Sequence, residues 1–309
     1  MTALLLLLMI TVGPGEDLHV EDAGEGPAVV MIAGLSGCTY SFRHVAPELQ
    51  ADGFRTIAID PLAAGLSSRP PGAAYHLTAQ SKRLAVVLDS LQVDQALVVV
   101  QGVHASTVYR LTLARPDLVR GIVSLEGGVV ESAATAGVRH GLKLAKLAAK
   151  LGAKGLIRDR LAKELRQSSG DASWVDKTAV RKYYRGAMRD MGGTLDAILA
   201  MTEQPEPRPL SPRLDQLQVP VLVLLGGHHR EGGLGQDDLE DLRAAVADFS
   251  VETVPGSGHF IMEENPGAVI EAVGRLNARL SVSSSPQRGS PAATGTPPAP
   301  ADSDPPPWP

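Results

Sequence analysis

The strongest constraint on this chain is a repeated exchange between short, wholly apolar runs and longer segments of helical period. Residues 28–33 (AVVMIA), 96–100 (ALVVV) and 220–225 (PVLVLL) carry no polar side chain, and 121–125 (GIVSL) carries only Ser124. Strands buried on both faces read this way, because neither face meets water. Helical segments separate them: 45–50, 78–91 with apolar Leu84, Val87, Leu88 and Leu91, 107–114, 237–246 and 266–280. Residues 55–59 and 249–254 complete the strand set. This order predicts an α/β fold with a doubly wound, mostly parallel sheet.

One stretch breaks the alternation. From Glu131 to Glu203 there is no strand pattern, only helix formers such as Leu142-Lys143-Leu144-Ala145-Lys146-Leu147-Ala148. Its lysines read as the solvated face of a helix across the sheet's top edge, in preference to a membrane-surface helix. Arg181-Lys182-Tyr183-Tyr184-Arg185 likewise reads as a solvated helix face. The expected organisation is a core of residues 1–130 and 206–280, with an all-helical cap, 131–205, inserted after the sixth strand. A chain of 309 residues, 44% hydrophobic, can bury a core and a small second domain of this kind. A net charge of −5 and an aromatic content of 4% argue against a nucleic-acid partner.

The termini stand apart. The apolar run 3–12 is too short to span a bilayer and resembles the core of a signal peptide. No Lys or Arg precedes it, however, and no small-x-small cleavage site follows. The preferred reading is a first strand at 9–12, turning at Gly13-Pro14-Gly15 into 17–22. Residues 281–309 are rich in Ser, Pro and Ala and cannot offset their ordering entropy, so a disordered tail is expected. Cys38 is the only cysteine, which excludes an internal disulfide. A cytoplasmic location is expected, export through the apolar N-terminus being the alternative.

Four motifs in order carry a family resemblance. Ala33-Gly34-Leu35-Ser36-Gly37 follows the apolar strand and resembles the His-Gly-x-x-Gly oxyanion loop of α/β-hydrolases, with Ala33 in place of the histidine. Asp60-Pro61-Leu62-Ala63-Ala64-Gly65-Leu66-Ser67-Ser68-Arg69-Pro70 resembles that superfamily's Asp-x-x-Gly-x-Gly-x-Ser-x-x-Pro turn after the fourth strand. Arg115-Pro116-Asp117-Leu118-Val119-Arg120-Gly121 resembles the segment leading from the nucleophile helix into its sixth strand, and Pro255-Gly256-Ser257-Gly258-His259-Phe260, followed by Glu263, Glu264, Asn265 and Pro266, its catalytic-histidine loop. The resemblance covers roughly residues 17–280. It is closest to the capped branch of haloalkane dehalogenases and esterases, and it implies that His259 is a general base.

The acid and the nucleophile are less regular. Glu126 follows Val123-Ser124-Leu125, where haloalkane dehalogenases and other relatives place their catalytic carboxylate. Glu231 is the other acid candidate, because the family's usual aspartate position holds His229. His228 and His229 have no carboxylate or cysteine at ligand spacing, so no metal is expected, and no motif implies a cofactor. In the family's Gly-x-Ser-x-Gly elbow, an ungapped match places Gly102 at the nucleophile, between Val100 and His104. A slip of one residue gives Val103, and a slip of two gives His104, between Gly102 and Ser106. None is Ser, Cys or Asp. Ser106 is the nearest hydroxyl, about a turn into the helix. The backbone N–H groups of Leu35 and Val103 would face an oxyanion, with His104 beside them.

Two functions follow from the resemblance. One is a hydrolase acting on a small ester-like or other small organic substrate through His259 and Glu126, without the serine. The other is a catalytically inactive protein that binds a small apolar ligand beneath the cap. Neither involves nucleic acid or a stable membrane span.

Overall fold

The computed structural model describes residues 4–131, 136–150, 152, 154–228 and 234–283. The chain opens with an antiparallel hairpin, β1 (Leu6–Gly13) and β2 (Glu16–Ala23), in which Leu6 faces Asp22. The strand at the N-terminus therefore starts three residues before the expected 9–12. Gly15 holds a left-handed φ of +72°, as the turn requires. β1 is the edge of the sheet and leaves Leu4, Leu5, Leu6, Leu7 and Met9 exposed.

The remaining strands alternate with helices. In chain order these are β3 (Ala28–Ile32), α1 (Ala46–Ala51), β4 (Arg55–Ile59), α2 (Leu77–Ser90), β5 (Ala96–Gln101), α3 (His104–Ala114) and β6 (Val119–Leu125). A helical insertion follows: α4 (Ala136–Lys150), α5 (Lys154–Gln167), α6 (Lys177–Tyr183), α7 (Arg185–Arg189) and α8 (Met191–Glu203). The chain returns through β7 (Val221–Gly226), α9 (Gln236–Ala245), β8 (Phe249–Val254), α10 (Ile261–Glu264) and α11 (Pro266–Ser283). The eight strands form one sheet in the order β1-β2-β4-β3-β5-β6-β7-β8, parallel from β4 to β8.

Alternate residues of one strand feed two cores. Val30 and Ile32 of β3 pack with α2, α3 and α9, while Val29 and Met31 pack with α1 and α11. Each such fully buried side chain contributes about 1.5–3 kcal/mol. Burial on both faces is what removes any alternation from these strands.

Two helices differ at their ends from expectation. α3 starts at His104 rather than Thr107, because every residue from His104 to Thr112 is buried and no apolar period marks its first turn. α11 runs to Ser283, three residues into the expected tail, and its Ser281 hydroxyl bonds the Asn277 carbonyl at 2.8 Å. The rest of that tail lies outside the described residues. No helix among the described residues is long and apolar enough to cross a membrane.

The motif at Asp60 has a structural cause. The Asp60 carboxylate is buried and accepts from the backbone N–H of Thr39 at 2.7 Å and of Leu66 at 2.9 Å, with His19 Nδ1 at 3.0 Å. Gly65 is left-handed at φ +43°, and a Cβ there would run into the Asp60 carboxylate. The motif thus clamps the loop after β3, the loop after β4 and strand β2. From the same loop, Arg69 donates to the Thr194 hydroxyl of α8 at 2.7 Å and to the Gly65 carbonyl at 2.8 Å, joining the insertion to the core.

Candidate active site

The chain leaves β3 toward β4 on one side and returns to β5 on the other, so the carboxyl ends of β3 and β5 form the sheet's switch point. Ligands of open α/β sheets bind in the crevice at such a point. Here the loop at Gly34 meets the turn at Gly102.

Gly102 links β5 to α3 in a left-handed conformation, φ +58°, which glycine adopts without strain. Its N–H donates to the Leu125 carbonyl at 2.9 Å, and its carbonyl accepts from Ala105 N–H at 3.0 Å. A Cβ built on Gly102 would lie 3.6 Å from Cε1 and 3.8 Å from Nε2 of His259. Any side chain at this turn would therefore point at that imidazole.

His259 sits on the loop after β8 and is anchored through its backbone. Its N–H donates to the Ser168 carbonyl of the insertion at 2.8 Å, and its carbonyl accepts from Gln101 Nε2 at 2.8 Å. The ring meets Phe260 edge to face at 5.1 Å. Glu264 ties the same loop to the insertion. One carboxylate accepts from the N–H groups of Gly258, Phe260, Gly170 and Asp171 at 2.7–3.2 Å.

Gln101 was not among the residues picked from the sequence. It is buried, its Oε1 accepts from Gly34 N–H at 3.0 Å, and its Nε2 holds the His259 carbonyl. One amide thus fixes the loop after β3, the Gly102 turn and the histidine loop. The available signal was a polar amide closing an otherwise apolar strand.

Glu126 ends β6 at φ +52°, a conformation that strains a residue with a Cβ. Its carboxylate accepts from Gly226 N–H at 2.5 Å. Gly226 in turn packs so closely on the Gly258 carbonyl that a Cβ there would clash. Glu126 and the His259 loop therefore converge on Gly226 at one end of the sheet. Glu231 and His229 lie outside the described residues. His228 is exposed, and its N–H donates to the Ser257 carbonyl at 2.9 Å.

The other sequence candidates divide in two. Leu35 and Val103 are half-buried, on the loop after β3 and the residue after Gly102. Among the described residues, neither backbone N–H has a hydrogen-bond partner. His104 and Ser106 are both fully buried in the first turn of α3. His104 Nδ1 lies 3.2 Å from the Thr107 hydroxyl, and burial pushes the ring down to a pKa of about 4, so it is neutral. The Ser106 hydroxyl donates to the Gly128 carbonyl at 3.1 Å and accepts from Val130 N–H at 2.8 Å. It fastens the loop after β6.

The insertion meets the site through an aromatic and acidic cluster. Tyr183 donates to Glu263 at 2.5 Å, Arg43 pairs with the same oxygen, and Trp174 and Phe260 lie against the Tyr183 ring. Burial holds the Glu263 carboxyl above its ordinary range, although Tyr183 and Arg43 oppose the shift. Among the described residues, no group of three or more His, Cys, Asp or Glu side chains is placed to hold a metal.

Comparison with known proteins agrees with this fold. The family model described as alpha/beta hydrolase fold matches residues 27–266. The bifunctional epoxide hydrolase 2 of Mus musculus is 34% identical over 117 residues, 38% of this chain and 21% of that protein. The chain thus matches about a fifth of that relative's length. The sn-1-specific diacylglycerol lipase ABHD11 of Mus musculus is 26% identical over 272 residues, 80% of each chain. Among solved structures, Cfl2 from Burkholderia cenocepacia superposes with a TM-score of 0.73 at 25% identity, covering 87% of this chain and 94% of that one.

Proposed function

The chain belongs to the alpha/beta hydrolase fold family, and on that premise we propose that it hydrolyses a small ester-like or related organic substrate without a covalent enzyme intermediate. In this reading Gly102 occupies the family's nucleophile position. His259 then takes a proton from a water molecule lying where a nucleophile's side chain would otherwise be. The observation that carries the reading is the line from the Gly102 Cα toward His259, 3.6–3.8 Å from a built Cβ to the imidazole.

The balance of the step is simple. Water adds to the substrate carbonyl as its proton passes to His259. The oxyanion is held by the unpartnered N–H groups of Leu35 and Val103. Glu126 orients the imidazole and stabilises the imidazolium. His259 then returns the proton to the departing alkoxide, leaving acid and alcohol. The insertion, proposed as a cap over residues 131–205, sets which substrates reach the site from above. The core would then be 1–130 with 206–280.

A second reading is favoured by Ser106, whose hydroxyl is fully engaged and so supplies no reagent near the turn. On this reading the capped pocket binds a small apolar ligand and does no chemistry. A panel of short-chain aryl esters, read with purified wild type and His259→Ala, separates the two. Hydrolysis that falls about 10²–10⁴-fold in His259→Ala supports the enzyme. A rate untouched by that substitution overturns it, and the absence of any rate leaves the binding protein as the function.

A further inference from the structure

On the far side of α3 from Gly102 lies a cavity of about 640 Å³ that the hydrolytic reading does not use. It opens between α2, the end of α3 and the segment that returns from α8 to β7. That volume suits a ligand of a few tens of atoms. Ala85, Leu111, Leu113 and Pro207 give it an apolar lining. Its lining carries Lys82, Arg110, Arg115, Arg208 and Arg213, and among the described residues no Asp or Glu lines it. In a chain of net charge −5, this concentration of cations is local rather than general.

The five cations fall into two groups. Arg110 is buried and held by Glu131 and Glu206, and Arg115 is gripped by Asp89 and Asp117. These two shape the wall. Among the described residues, the side chains of Lys82, Arg208 and Arg213 enter no ion pair or hydrogen bond. The nearby carboxylate of Glu206 is turned to Arg110 and to the N–H groups of Leu77 at 2.5 Å and Thr78 at 3.1 Å, and it pairs with none of the three. Three cations outside any ion pair beside an apolar surface suit one ligand chemistry, a negatively charged head on an apolar body.

We propose that this cavity binds an amphipathic organic anion, with its carboxylate or phosphate among Lys82, Arg208 and Arg213 and its hydrocarbon part over Leu111, Leu113 and Ala85. The site is separate from His259 and does not depend on the proposed hydrolysis. It joins the end of α3 remote from the Gly102 turn to the chain leaving α8.

Octanoate, octyl phosphate and octanol serve as probes, titrated calorimetrically into the full chain. Both anions should bind at least about tenfold more tightly than the neutral alcohol, and rising salt should erode that difference. The ratio of octanoate to octyl phosphate then identifies the preferred head. Lys82 and Arg208 are exposed and Arg213 is half-buried, so Lys82→Ser/Arg208→Ser/Arg213→Ser should remain folded. In that variant anion affinity should fall about tenfold or more while octanol is unaffected. Should the triple variant fail to fold, Arg208→Ser and Arg213→Ser singly should each weaken the anions alone. Equal affinity for octanol and the anions, or anion binding unchanged in these variants, overturns the site.

Discussion

Replacing Gln101 by Leu should cost stability out of proportion to the change in shape. The side chain is 1% exposed and forms two hydrogen bonds, from Gly34 N–H at 3.0 Å and to the His259 carbonyl at 2.8 Å. Leucine fills a similar volume but leaves a buried donor and a buried acceptor without partners. Each orphan costs about 1–3 kcal/mol, and partial relaxation of the two loops brings the sum to about 2–4 kcal/mol. For a domain of this size the melting temperature should fall by roughly 3–7 °C. Gln101→Glu dissects the effect, because a carboxylate can still accept from Gly34 but cannot donate to His259. Urea unfolding followed by circular dichroism gives the free energies directly. A loss below about 0.5 kcal/mol in Gln101→Leu, the range of an ordinary surface substitution, would refute the bridging role.

Ser106→Ala should destabilise the fold by about 1–2 kcal/mol, because Val130 N–H loses its acceptor. A fluorophosphonate probe, which bonds only to an activated serine, should leave the wild-type protein unlabelled, and labelling abolished by Ser106→Ala would overturn this structural role. The His19–Asp60 pair should make stability depend on pH. Burial opposes the charge on His19, but the hydrogen bond and charge of Asp60 outweigh it and raise the imidazole above its ordinary value. The pair's contribution is then full below the unfolded value of about 6.5 and is lost as pH rises through the higher folded value. Chemical denaturation from pH 6 upward should show this decline in wild type, and His19→Gln should flatten it.

Strands with both faces buried were the easiest part of the fold to read. β4 has the bounds its residues suggest and β3 ends one residue earlier, and the exposed edge strand β8 also has its expected bounds. The same burial hid the start of α3, since a helix buried on all sides has no apolar period. Within the site, glycine and histidine loops could be read because turns restrict the residues they accept. Gln101 could not, because its partners, Gly34 and His259, lie in segments remote in the chain; Glu264 belongs to the histidine-loop motif, but its bonds to Gly170 and Asp171 were hidden for the same reason. A hydrogen bond across such a separation leaves no spacing in the sequence. The partner of Arg69 escaped for the same reason, lying across the junction between core and insertion, and Tyr183 and Tyr184, expected on a solvated helix face, are instead buried, with Tyr183 bonded to Glu263 across that junction.

The central claim, that Gly102 stands at the nucleophile position with a working base opposite, is tested most directly by supplying the missing hydroxyl. In Gly102→Ser the new side chain would project toward Nε2 of His259 from a Cβ 3.8 Å away. The left-handed backbone would cost the serine about 1–2 kcal/mol, a strain that nucleophile elbows tolerate. Hydrolysis of an activated aryl ester by Gly102→Ser should rise at least about 10²-fold over wild type, equivalent to about 2.7 kcal/mol of transition-state stabilisation. Adding His259→Ala should remove the gain. A correctly folded Gly102→Ser protein with no gain, whether or not Val103→Ser shows one, would contradict the assignment.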